Sequence, residues 1–184
     1  LPTIGVDFLT STLNNNKLHI WDTSGSKSFL NLIRLYFKTC CGIIITFRLD
    51  DMQTFLSLEQ WIQNVLTESQ SYKHFVFVAT HTDKERNVPK ELINEICHKY
   101  NTKCFEINAK LCIGIDEVFG ELCDMILKDY WKNPHWFNNL EGFKDCRPKE
   151  IKRIQTNDYI LFDEVVQDNR GICEKLGCHF CVIS

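Results

Sequence analysis

Two kinds of hydrophobic spacing alternate along the first two thirds of the chain. Residues 41–47 (C-G-I-I-I-T-F) and 75–79 (F-V-F-V-A) are continuous apolar runs rich in β-branched residues, as in parallel strands buried on both faces. Residues 103–107 form a shorter run of this type. Between them, apolar side chains return at helical spacing. Phe55, Leu58, Trp61, Ile62, Val65 and Leu66 mark one long helix. Leu92, Ile93, Ile96 and Tyr100 mark a second, whose first turn suits Pro89. A third stripe is Ile115, Val118, Phe119, Leu122, Met125 and Ile126. Nearer the start, 6–13 and 17–22 read as two strands around Asn14, Asn15 and Asn16, which tolerate turn conformations. This alternation predicts an α/β fold on a parallel sheet, with ligands at the carboxyl ends of the strands. From about Asp129 the periodicity weakens, and 129–184 are expected to form a tail with one ordered stretch around 159–166. No internal repeat is present.

Composition narrows the function classes. A hydrophobic content of 44% over 184 residues supports one sizeable core, and a net charge of −3 lacks the cationic excess that nucleic acid binding requires. No apolar stretch approaches the roughly eighteen residues of a spanning helix. Leu1-Pro2-Thr3 has neither the basic nor the apolar region of a signal peptide; without an initiator Met, it is expected to continue from something longer. The ten cysteines admit two readings, a disulfide framework or reduced thiols. Cys40, Cys41, Cys97, Cys104 and Cys123 sit in apolar periodic segments, where free Cys acts as a small hydrophobe, which favours a reduced, cytosolic protein.

Five segments, in order, carry a resemblance. They are P-T-I-G-V-D-F at 2–8, W-D-T-S-G at 21–25, A-T-H-T-D at 79–83, E-I-N-A-K at 106–110 and C-V-I-S at 181–184. Together they resemble the Rab branch of the Ras-like GTPases, over about 1–128 plus the last four residues. The resemblance implies a Ras-like P-loop GTPase fold, GTP or GDP as ligand, and Mg²⁺ as cofactor. Thr3 and Asp22 would serve magnesium, which demands compact oxygen ligands beside phosphates. Gly25 would bring its N–H to the γ-phosphate. Asp83 would accept two hydrogen bonds from a guanine edge, with Ala109 and Lys110 beside the base. Cys181-Val182-Ile183-Ser184 matches a prenylation box, and Cys178 is the expected site of a second lipid. Residues 2–8 and 22–39 would meet effectors and regulators, and the prenyl group would hold the protein on the cytosolic face of a membrane.

The departures from the family matter as much. The first strand, the Gly-rich P-loop and the first helix are absent, so the expected fold is partial: a truncated Rab-like domain at 1–128 and a variable tail at 129–184. Loss of that central strand would split the sheet and expose two strand edges. Either residues upstream of Leu1 supply the loop, or the domain binds no nucleotide. Ser26 stands where the family's water-orienting glutamine follows D-x-x-G, and it is too short for that role, so hydrolysis should be slow. Thr80 and His81 replace the Asn and Lys of N-K-x-D, weakening base selection, and Asn108 mildly replaces a serine.

Other features have plainer explanations. Cys178-His179-Phe180-Cys181 is formally C-x-x-C, yet it lacks a second pair for zinc and the strand–helix setting of a redox motif. His74, His81 and His98 read as surface or loop residues. Basic residues at 144–153 are interrupted by Asp145 and Glu150; they read as a solvated face, with weak attraction to anionic lipid as the alternative. Trp131, Trp136 and Phe137 are expected to pack on the domain. The favoured expectation is a membrane-attached GTPase switch in vesicle traffic. The alternatives are a prenylated pseudo-GTPase scaffold that does not cycle nucleotide, and an α/β domain with no nucleotide role.

Overall fold

The computed structural model describes residues 3–13, 16–68, 74–132 and 178–183. Two strands open the chain, β1 (Val6–Leu13) and β2 (Asn16–Thr23), paired antiparallel with Phe8 opposite Trp21. A 3-10 turn (Lys27–Phe29) leads into helix α1 (Leu30–Thr39), then strand β3 (Gly42–Arg48). Helices α2 (Met52–Leu56) and α3 (Leu58–Glu68) precede β4 (His74–Thr80). Helix α4 (Lys90–Tyr100), β5 (Cys104–Glu106) and α5 (Ile115–Lys132) follow, and β6 (Cys178–Ile183) is the last element.

Among the described residues the sheet has six strands in the order β1-β2-β6-β3-β4-β5, and all neighbours except β1 and β2 are parallel. The expectation of a split sheet is therefore corrected. β6 lies between β2 and β3, pairing Leu18–Thr23 on one side and Gly42–Ile45 on the other. The segment read as a lipid-bearing end thus joins the two groups of strands that the expectation had kept apart. Physically, two unpaired inner edges are a strong template for any apolar strand of matching length.

Strand alternation divides the core into two layers. Ile43, Ile45, Phe47, Phe77 and Ala79 face α1, α3 and α4 in one cluster that holds Ile33, Phe37, Leu58 and Ile62. Ile44, Val76 and Val78 face α5 in the other, against Val118, Leu122 and Ile126. Helix α5 approaches so closely that a Cβ on Gly42 would lie 2.9 Å from Leu122 and Ile126 side-chain atoms. Only glycine lets the helix lie so near the start of β3.

Several local expectations change. The long helix read from Phe55 to Leu66 is two helices that break at Ser57, whose hydroxyl donates back to the Thr54 carbonyl (2.7 Å). Pro89 caps α4 from extended backbone rather than lying in its first turn. Helix α1 was not singled out by spacing at all. Cys40, Cys41 and Cys123 are buried, whereas Cys97 and Cys104 are half-buried. The basic residues at 144–153, Trp136, Phe137, the stretch at 159–166 and Ser184 lie outside the described residues.

His74 also corrects its surface reading. It begins β4 with 4% exposure, and its Nε2 lies 3.1 Å from Asp129 Oδ2 on α5. Burial pushes the imidazole below its ordinary value of 6.5, outweighing the attraction of Asp129. A base that is harder to protonate when folded favours the unfolded chain in acid. Its contribution to stability is complete above 6.5 and is lost as pH falls toward the depressed folded value. Urea midpoints should therefore drop between about pH 7.5 and about pH 5.5, and His74→Gln should shrink that drop; an unchanged drop would place the acid-sensitive group elsewhere.

Candidate functional site

Because β2 through β6 run in one direction, the segments that follow them leave from a single edge of the sheet. Residues 24–26 follow β2, 49–51 follow β3, 81–83 follow β4 and 107–110 follow β5. The expected site residues other than the two cysteines therefore gather at the carboxyl edge, where parallel sheets hold ligands.

One half of the site is built on the hairpin. Thr3 Oγ1 donates to Asp22 Oδ2 at 2.8 Å. The chain turns back to make this contact at Gly5, whose φ of 76° lies in the left-handed region, and whose carbonyl accepts the Ser24 N–H at 3.0 Å. Thr23 is buried, and its hydroxyl donates to the Val182 carbonyl at 2.7 Å, which ties the end of β2 to β6. Gly25 is exposed. Ser26 is exposed too; its N–H donates to Ser24 Oγ at 3.2 Å and its hydroxyl shares a proton with Ser28 Oγ at 2.8 Å.

The oxygen pair of Thr3 and Asp22 suits magnesium. Among the described residues no trio of His, Cys, Asp and Glu gathers as a metal cage. A cation at Thr3 and Asp22 would thus complete its shell with water and phosphate oxygens, the ordinary habit of Mg²⁺.

The other half lies beyond β4 and β5. Thr80 Oγ1 donates to the Phe47 carbonyl at 3.1 Å and lies 2.9 Å from His81 Nδ1. With its one proton spent on Phe47, the hydroxyl meets His81 Nδ1 as an acceptor. His81 has a φ of 61°, so the chain turns sharply there, and its carbonyl accepts the Lys84 N–H at 3.0 Å. Asp83 sits 3.6 Å from Lys110 Nζ, an exposed pair. Thr82 Oγ1 donates to the Ile107 carbonyl at 3.2 Å and so links the two loops. Asn108 is a turn builder: it is buried, exchanges two 3.0 Å backbone bonds with Ile113, and accepts the Leu111 N–H at Oδ1 (3.1 Å). Ala109 and Lys110 are exposed beside it.

Two features escaped the sequence reading. At the end of β3, Arg48 grips Asp50 through Nη2 (2.7 Å) and Nε (2.9 Å). The guanidinium holds that carboxyl down to about 2, so it stays ionised at the carboxyl edge. The second feature is an aromatic row: Phe8 stacks on Trp21 (centroids 4.4 Å apart), and Trp21 on Tyr36 (4.7 Å). Ile4, Phe8, Leu32 and Leu35 are exposed. Scattered exposed apolar residues need no explanation, but a row continuous across β1, β2 and α1 is the mark of a docking face. The signal was present in the i and i+4 spacing of Leu32 and Tyr36, and in the hairpin register that puts Phe8 opposite Trp21.

Cys178 and Cys181 are at neither half of the edge. Both belong to β6, where Cys181 is paired with Trp21 and Ile43. Among the described residues, no helix is long and apolar enough to cross a membrane.

Residues 1–128 match the family model for the Ras family. The chain is 30% identical over 132 residues to the Ras-related protein SEC4 of Candida albicans, covering 68% of this chain and 63% of that protein. It is 30% identical over 143 residues to the Ras-related protein Rab-2B of Dictyostelium discoideum, covering 74% of this chain and 71% of that protein. The Ras-related protein Rab-5B of Plasmodium falciparum is 27% identical over 142 residues, covering 74% and 68%. The chain thus spans a little under two thirds of the SEC4 relative's length.

Proposed function

We propose, on the premise that this chain belongs to the Ras family as a Rab-like small GTPase, that with a phosphate-binding loop supplied from upstream of Leu1 it binds GTP and GDP at the carboxyl edge and acts as a switch in vesicle traffic. The observation that carries this is the placement of the Thr3–Asp22 pair and the Asp83–Lys110 pair on one edge of one sheet. Thr3 and Asp22 hold the cation and Gly25 offers its N–H to a phosphate oxygen. Magnesium, when bound, neutralises charge on the phosphates. Asp83 accepts from the guanine edge, while Ala109 and Lys110 border the base.

Base selection is looser than in a site with N-K-x-D. Thr80 spends its hydroxyl within the protein, on the Phe47 carbonyl and His81, so it has no paired donor and acceptor to offer a nucleotide. In competition titrations with fluorescent GDP, the double change Thr80→Asn and His81→Lys should sharpen rejection of ADP by about tenfold, the worth of one or two net hydrogen bonds. Unchanged competition would overturn the assignment of this half of the site.

Hydrolysis is slow in this reading, because Ser26 is bonded to Ser28 and reaches no attacking water. Ser26→Gln should raise single-turnover phosphate release from loaded GTP; equal rates would show that another group orients the water. The aromatic row with 2–8 and 22–39 is the face for effectors and regulators. Cys181 carries an isoprenoid, with Cys178 taking a second lipid, and together they hold the protein on the cytosolic face of a membrane.

A second reading has one observation in its favour. The aromatic row is built from hairpin and helix contacts, Phe8 on Trp21 and Trp21 on Tyr36. A prenylated scaffold that presents this face without cycling nucleotide would need nothing more. Tight GDP binding in the titration above removes that reading.

A further inference from the structure

Helix α4 and strand β5 meet at a pair of thiols. Cys97 lies in the last turn of α4, and Cys104 is the first residue of β5, the edge strand among the described residues. The turn between them is fastened by its backbone. Asn101 caps the helix in the left-handed region (φ 48°), and the Thr102 N–H donates to the Cys97 carbonyl at 3.0 Å. The Thr102 hydroxyl donates to the Phe75 carbonyl, which ties the turn to β4. Both cysteines are half-buried and line one groove of about 380 Å³ with Ile93 and Asn94 of α4 and Phe105 and Glu106 of β5. A hydrogen bond from the Cys104 thiol pulls Cys97 below its ordinary value of 9.0, against the opposing effect of burial. The same contact, together with burial, pushes Cys104 up. One sulfur is thus readied as a nucleophile beside a proton-bearing partner, in a groove that admits a small solute.

We propose that Cys97 and Cys104 are a redox modification site, converted by hydrogen peroxide into a disulfide that staples the end of α4 to β5. The Cys97 thiolate attacks one peroxide oxygen; the O–O bond breaks, hydroxide leaves with the electron pair and takes a proton from solvent, and Cys97 becomes a sulfenic acid. The Cys104 sulfur then attacks the Cys97 sulfur. The S–O bond breaks, and the departing hydroxide takes the Cys104 proton as water. Two thiols are oxidised to one disulfide while one peroxide is reduced to two waters. A dithiol reductant restores the pair by exchange, so the modification is reversible and suits a compartment that keeps most thiols reduced. The division of labour follows from the contact between the sulfurs: Cys97 reacts first and Cys104 resolves. The exposed Cys112 provides an internal comparison, a thiol open to the same peroxide in the loop after β5.

Peroxide treatment of the reduced full chain, followed by alkylation, trypsin and mass spectrometry, tests this. Lys99 and Lys103 lie between the two cysteines, so trypsin separates them and the disulfide appears as a linked pair of peptides. The linked pair should form in the native chain on the order of tenfold faster than in the same chain unfolded in urea, because the fold supplies both the thiolate and its partner. A dithiol reductant should return both peptides to the alkylated form. In Cys104→Ala the resolving thiol is gone, and Cys97 should instead accumulate as a sulfenic acid that dimedone captures; Cys97→Ala should leave Cys104 unoxidised under the same treatment. If either variant fails to fold by circular dichroism, the comparison of native and unfolded parent decides. Oxidation confined to Cys112, with Cys97 and Cys104 still alkylated, overturns the proposal. So does a linked pair that forms equally fast in urea, which would make it a product of short-range chain closure alone.

Discussion

Asp83→Ala should erase most of the preference for guanine over adenine nucleotides, on the order of a hundredfold, because a carboxylate accepting two hydrogen bonds contributes about 1.5–3 kcal/mol through each. The effect should fall on selectivity and leave the fold unharmed. Asp83 is exposed at the loop after β4, and its contact with Lys110 is a 3.6 Å surface pair of the kind that adds little to stability. Competition of GDP and ADP against a fluorescent guanine nucleotide, with a melting curve on the same sample, separates the two effects. A preserved preference with an unchanged melting curve would show that Asp83 does not read the base.

The largest structural effect is expected at Phe37. It is fully buried in α1, within the cluster that joins α1 to β3 and α3. Phe37→Ala should cost about 3–5 kcal/mol, from lost burial together with the cavity left in a close-packed layer. Domains of this kind retain roughly 5–15 kcal/mol, so the variant should be partly unfolded at modest urea. A loss under about 1 kcal/mol would mean that α1 does not pack as described.

These two residues differ in how readily the sequence shows them. Asp83 stands in a strand-terminal motif and was legible by position. Phe37 was not, because α1 gives no clean stripe: Leu32 and Leu35 are exposed while Ile33 and Phe37 are buried. Apolar residues on both sides of a helix blur the period that would mark it. β3 and β4 were legible because burial on both faces leaves only apolar residues, as in 43–47 and 75–79. His74 misled for the opposite reason, being a polar residue at the buried end of such a strand. β6 was opaque because its partners, Leu18–Thr23 and Gly42–Ile45, lie well over a hundred residues earlier, and no local pattern encodes a pairing at that distance. Its composition, read locally, matches a prenylation box and says nothing of strand pairing. At the site, the Thr3–Asp22 contact followed from motif order, whereas the Arg48–Asp50 clamp depends on a loop conformation that spacing does not reveal.

The placement of β6 also sets a timetable for the nascent chain. Residues 18–23 and 42–48 leave the ribosome long before 178–183, so the hairpin and the β3–β4 pair can form early as separate halves. Joining them through β6 needs a pairing across more than 150 residues, the kind of non-local contact that slows folding. A second nascent chain can donate its own β6 to the same pairing with β2 and β3. Synthesis speed and chaperone supply would therefore decide how much of this protein emerges as closed monomer and how much as strand-exchanged pairs.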